Sequence, residues 1–135
     1  MTIAVNYEGR GTLTIDITGV ASTDNGGVGA LLNPEGVALL ITKSTFHFIA
    51  PSTGAANLSV GIGATAATAG TDVLNALDVN GVAAASWYNG HARQNTAKTA
   101  ITAPAVWGST EYLTFTGSAT TVGLSGRLYI EYIRL

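Results

Sequence analysis

The stretch 57–70, NLSVGIGATAATAG, holds the residue types of a phosphate-binding turn: Gly61, Gly63 and then Ala66 match Gly-x-Gly-x-x-Gly/Ala after a β-branched run. In such a turn the glycines let backbone amides approach a pyrophosphate, and a helix begins within the glycine stretch so that its amide end faces the phosphate. Here threonines and Gly70 interrupt the chain before the next helix-forming residues, which begin at Asp72. The alternating βα units of a dinucleotide fold are also missing. Gly61 and Gly63 are therefore read as small because a neighbouring segment packs on that strand face, or because the strand kinks there.

The remaining reactive side chains form no constellation. His47 and His91 are the only histidines, and neither has a second ligand at a short metal spacing such as His-x-x-x-His. The eight carboxylates are scattered, so no glycosidase-like pair stands out. Ser44, Ser52, Ser59 and Ser86 lack the strained Gly-x-Ser-x-Gly setting of a nucleophile elbow. Cysteine is absent, which excludes disulfides and Cys-ligated zinc. No enzyme activity, cofactor or metal is expected. Gly90-His91-Ala92-Arg93-Gln94 follows an Asn-Gly turn and reads either as a contact loop or as a solvated hairpin tip. Trp87 ends an apolar stretch and reads as core, whereas Trp107, between Ala-Val and Gly-Ser, reads as an exposed anchor.

The elements that must carry these residues are strands. Residues 12–18, TLTIDIT, alternate with Leu13, Ile15 and Ile17 on one face. Residues 21–36 are loop-like, with turn signals around a short apolar Ala30-Leu31-Leu32. Residues 37–50 are β-rich, but the apolar positions are odd at Val37, Leu39 and Ile41 and even at Phe46 and Phe48; a bulge or a bend near 43–45 accounts for the change. Leu58, Val60 and Ile62 mark another strand, and residues 71–77 the one helix, short and capped by Thr71 or Asp72. An edge strand at 99–103, a strand at 111–116 and a closing strand at 124–135 follow, the last with Leu128, Ile130 and Tyr132 on one face and Arg127, Tyr129, Glu131 and Ile133 on the other. The expected fold is an all-β, antiparallel β-sandwich with one short helix, the jelly roll being one form of it, in a single domain over 1–135 with 1–11 as an extended N-terminal segment.

Composition bounds the partners. Charged residues are 10% of the chain and hydrophobic residues 47%, against a usual charged share of about 25%. So little charge suggests a surface partly covered by neighbours in an assembly, or else a neutral surface of Thr, Ser, Asn and Gly. A net charge of -2 without a Lys/Arg cluster argues against nucleic acid as a partner. No apolar run is long enough to span a bilayer and the start, MTIAVNYEGRG, is unlike a signal peptide, so a soluble protein without a membrane partner is expected.

The order of segments carries a resemblance. Asn33-Pro34-Glu35-Gly36-Val37, then Pro51-Ser52-Thr53-Gly54 running to Ile62, then Asp72 to Val79, then Asn89 to Gln94, and finally Gly126-Arg127-Leu128-Tyr129-Ile130-Glu131-Tyr132-Ile133 together resemble the head decoration, or cement, proteins of tailed bacteriophages. The resemblance spans most of the chain from Asn33 onward and rests on turn and strand patterns. It implies a virion protein, made in the host cytoplasm, that binds the outer capsid surface and bridges subunits of the major capsid protein against internal DNA pressure, often as a homotrimer. Because strands must supply the core, contact residues are expected in loops and termini: Tyr7, Glu8 and Arg10; Asn33, Pro34 and Glu35; His91, Arg93 and Gln94; and Trp107. The alternative is a head-fibre or tail β module binding a host glycan, with Trp107, Glu111 and Tyr112 as its aromatic and carboxylate cluster.

Overall fold

A computed structural model describes residues 9–81, 87–89 and 104–135. The described chain is all-β: β1 (Arg10–Thr18), β2 (Gly29–Leu32), β3 (Leu39–Ala50), β4 (Asn57–Gly63), β5 (Leu74–Asp78), β6 (Trp87–Asn89), β7 (Ala105–Trp107), β8 (Tyr112–Gly117) and β9 (Ser125–Arg134). All pairings among the described residues are antiparallel. A five-stranded sheet runs β1-β9-β3-β6, with β7 also on β3, and a four-stranded sheet runs β2-β8-β4-β5. The pairings nest: β1 with β9, β2 with β8, β3 with β6 and β7, and β4 with β5.

Period-2 alternation is what makes two facing sheets possible, because each strand can give one face to the core. From the five-stranded sheet come Ile17, Leu39, Ile41, Phe46, Phe48, Leu128 and Ile130; from the four-stranded sheet come Leu58, Val60, Leu74, Leu77, Leu113 and Phe115. β9 buries Leu128, Ile130 and Tyr132 and turns Arg127 and Glu131 outward, as its sequence predicts. The phase change in β3 is a bulge. Its register with β9 slips between Ile41 and Lys43, so Leu39 and Ile41 point inward before it and Ser44, Phe46 and Phe48 after it.

Two expectations change. Residues 71–77 are not a helix, and no helix occurs among the described residues. Leu74 and Leu77 stand three apart, a helical spacing, but they form β5, where Leu74 pairs with Val60 and Leu77 with Leu58 across a register shift. Within it Ala76 takes φ 52°, and its N–H donates to Ser59 Oγ at 3.1 Å. The extra residue brings both leucines to the core. Asp72, read as a helix cap, instead accepts the N–H of Ile62 at 2.9 Å. Residues 30–32, read as an apolar patch in a loop, form the edge strand β2 on β8.

Gly61 and Gly63 are explained by close approach. A Cβ on Gly61 would overlap the backbone of Gly70, and one on Gly63 the side chain of Thr68. The segment after β4 folds back over the strand's outer face and leaves no room for a ligand phosphate there. The edge strand expected at 99–103 lies outside the described residues.

Candidate docking surface

The outer faces of the two sheets differ. On the four-stranded sheet, Thr114 is buried with its hydroxyl donating to Gly61 O at 3.3 Å, and Thr116 Oγ1 accepts the N–H of Gly26 at 2.9 Å. Gly26 in turn packs on Ala66. Two loops thus lie over that sheet. The outer face of the five-stranded sheet carries no such loop among the described residues.

At one end of that open face the register assembles an apolar row. Val106 pairs with Leu40, Leu40 with Ile133, and Ile133 with Arg10, so these side chains share the outer face. Beyond them the Leu135 N–H donates to Ala38 O at 2.9 Å, which adds Leu135 beside the row. Val106 is 52% exposed and Leu135 66%, while Leu40 and Ile133 are half-buried. The row continues into an open groove of about 470 Å³ lined by Arg10, Gly11, Thr12, Thr42, Glu131, Tyr132 and Ile133. Apolar surface rimmed by polar groups is the composition of a protein docking patch.

The loop 33–37 fixes this end. Asn33 is buried, and its Oδ1 accepts the N–H groups of Glu35 and Gly36 at 2.9 and 3.2 Å. Its Nδ2 faces three carbonyls, Val37 O at 2.8 Å, Gly108 O at 3.0 Å and Trp107 O at 3.1 Å. One side chain so ties the loop to the end of β7. Glu35 then reaches the last strand: Oε1 accepts the Tyr132 hydroxyl at 3.1 Å, and Oε2 is paired with Arg134 Nε. Arg134 also donates through Nη1 to Arg10 O at 2.9 Å and lies 5.5 Å from the centre of the Tyr132 ring. The bond from Arg134 and then that from Tyr132 hold the Glu35 carboxyl below its usual range, while burial, followed by the Glu35 hydrogen bond, raises the Tyr132 phenol.

The expected contact residues separate. Arg10, Pro34 and Glu35 come together at this end, with Arg10 and Pro34 exposed. Asn33 does not offer a contact: its amide is spent inside the fold, because a turn residue next to proline here also bridges to a distant strand. Trp107 is likewise no exposed anchor. It is fully buried, since pairing with Leu39 turns its ring into the core, and its Nε1–H donates to Glu111 O at 2.9 Å. Glu111 Oε2 accepts the N–H of Gly108 at 2.7 Å. The Trp107, Glu111 and Tyr112 cluster is thus a tightly bonded turn without a free indole face. Tyr7, Glu8, His91, Arg93 and Gln94 lie outside the described residues.

Leu40, Val106 and Leu135 went unrecognised in the sequence because only strand pairing brings them together. Alternation placed Ile133 on the charged face of β9, but nothing in the sequence marked it as a contact. Among the described residues no group of three or more His, Asp or Glu is placed to hold a metal ion, and no helix is long and apolar enough to cross a membrane. A scan of the chain against protein-family models, a search of curated proteins and a search of solved structures each returned no match.

Proposed function

We propose that this chain is a structural virion protein that binds the outer surface of a tailed-phage capsid and stabilises it by bridging subunits of the major capsid protein. The observation that carries the reading is the apolar row Val106, Leu40, Ile133 and Leu135, left open on one sheet among the described residues and bordered by Arg10 and Glu131. A shell subunit with a complementary apolar ridge would bury the row, and the bordering charges would set its orientation. The low charge content and the Asn33-fixed loop favour a rigid contact that orders few long side chains on binding. The nested strand pairing supports the finer reading of the fold as a jelly roll. Three copies joined as a homotrimer, as the resemblance implies, would make the second and third shell contacts effectively intramolecular.

The test is a heat challenge of expanded capsids that lack the protein, with and without added chain. The reading predicts that shells resist higher temperature when the protein is present at a fixed ratio to the shell subunit. An unchanged disruption temperature at saturating protein contradicts it.

A further inference from the structure

Among the described residues β1 pairs on one side only, and its other edge is long and regular. β1 pairs with β9 over nine residues without a register shift, from Arg10↔Ile133 to Thr18↔Ser125. The other described edges are blunted: β2 has four residues, and β5 has five with a shifted register and Ala76 at φ 52°. β3 is occupied on its outer side by β6 and β7. β1 has no proline and no bulge, the devices that usually close an edge to pairing.

Which groups face outward follows from the flanking bonds. Arg134 N–H donates to Gly9 O, and Gly19 N–H donates to Leu124 O. Odd positions of β1 thus bond to β9, and the even positions, Arg10, Thr12, Thr14, Asp16 and Thr18, direct N–H and C=O to the open edge, with Arg10 O keeping one lone pair beside its bond from Arg134 Nη1. Beside that edge is an apolar groove of about 240 Å³ between the sheets, lined by Ile15, Ile17, Val28, Leu31 and Phe115 among others.

We propose that β1 pairs antiparallel with β1 of a second copy of this chain, about a twofold axis through Leu13. The sequence is self-complementary in that register. Arg10 falls opposite Asp16 of the second copy, twice by symmetry, and Thr12 opposite Thr14, these even pairs exchanging the backbone bonds. Leu13 meets its own symmetry mate as a non-hydrogen-bonded pair, in which side chains approach most closely. Asp16 is 76% exposed and already bonded to Arg127 at 2.8 Å, so it is oriented on the face where Arg10 of the second copy would arrive. A twofold contact of this kind replaces the trimer implied above as the state of the free protein, and it is independent of capsid binding.

The test is sedimentation equilibrium of the full chain, with native mass spectrometry, for the wild type, Thr14→Pro and Arg10→Glu. Proline at 14 removes an N–H that faces the open edge, so the monomer keeps its ladder while the dimer loses paired bonds. The proposal predicts a wild-type dimer, a monomeric Thr14→Pro with a native circular dichroism spectrum, and dimer affinity at least about tenfold weaker in Arg10→Glu, which sets like charges opposite each other. A wild type that is monomeric or trimeric overturns it. If Thr14→Pro fails to fold, Arg10→Glu decides alone, and an unweakened Arg10→Glu dimer overturns the proposal.

Discussion

Asn33 shows how one side chain fixes a surface without touching a partner. Its amide donates to carbonyls of two separate segments and its carbonyl accepts two amides, so truncation strands several buried polar groups at once. We expect Asn33→Ala to lose about 2–4 kcal/mol of folding stability in urea unfolding; a loss under about 0.5 kcal/mol would show that water replaces these bonds. Glu35 makes a pH-dependent contribution. Its folded pKa lies below the unfolded value of about 4.5, so the stabilisation is complete above that pH and is lost as pH falls through the lower folded value. The gap in Tm between wild type and Glu35→Gln should be widest near neutrality and close on acidification; a gap independent of pH would contradict the ion pair. At this scale the sequence showed that Asn33 and Pro34 make a turn. It could not show that Trp107 closes against Asn33, because burial of the indole depends on a strand pairing far along the chain.

Among the elements, strands with strict alternation were legible because burial on one face repeats every second residue. The β3 bulge was legible for the same reason, since the parity of its apolar residues changes. β5 was misread, because a bulge in a strand reproduces the three-residue spacing of a helix, and an Asp ahead of it mimics a cap. Ala76 therefore stands in a left-handed conformation that a glycine adopts without strain. Ala76→Gly should gain up to about 1 kcal/mol in thermal unfolding; a clear loss would mean that its methyl contributes more to the core than the backbone strain costs. Close approach makes the opposite prediction at Gly61. Alanine there meets the Gly70 backbone, whereas Gly54 has open space around its would-be Cβ. Gly61→Ala should cost more than about 2 kcal/mol and Gly54→Ala less than about 0.5, and equal costs in chemical denaturation would refute the packing of residues 64–73 on β4.

At the scale of the whole molecule, the low charge content takes on a spatial meaning. Among the described residues one sheet is roofed by loops, and the other keeps an open face on which polar rows give way at one end to Val106, Leu40 and Ile133. That asymmetry makes the capsid-facing reading specific, because it names the surface that must be covered. The most direct measurement is a pelleting isotherm of wild type and Val106→Glu on expanded shells that lack the protein. Val106 is 52% exposed, so the substitution leaves the core intact while placing a charge in the row. The account predicts saturable wild-type binding at a fixed ratio to the shell subunit and affinity at least about tenfold weaker for Val106→Glu. Absence of wild-type binding, or equal isotherms for the two proteins, would contradict it.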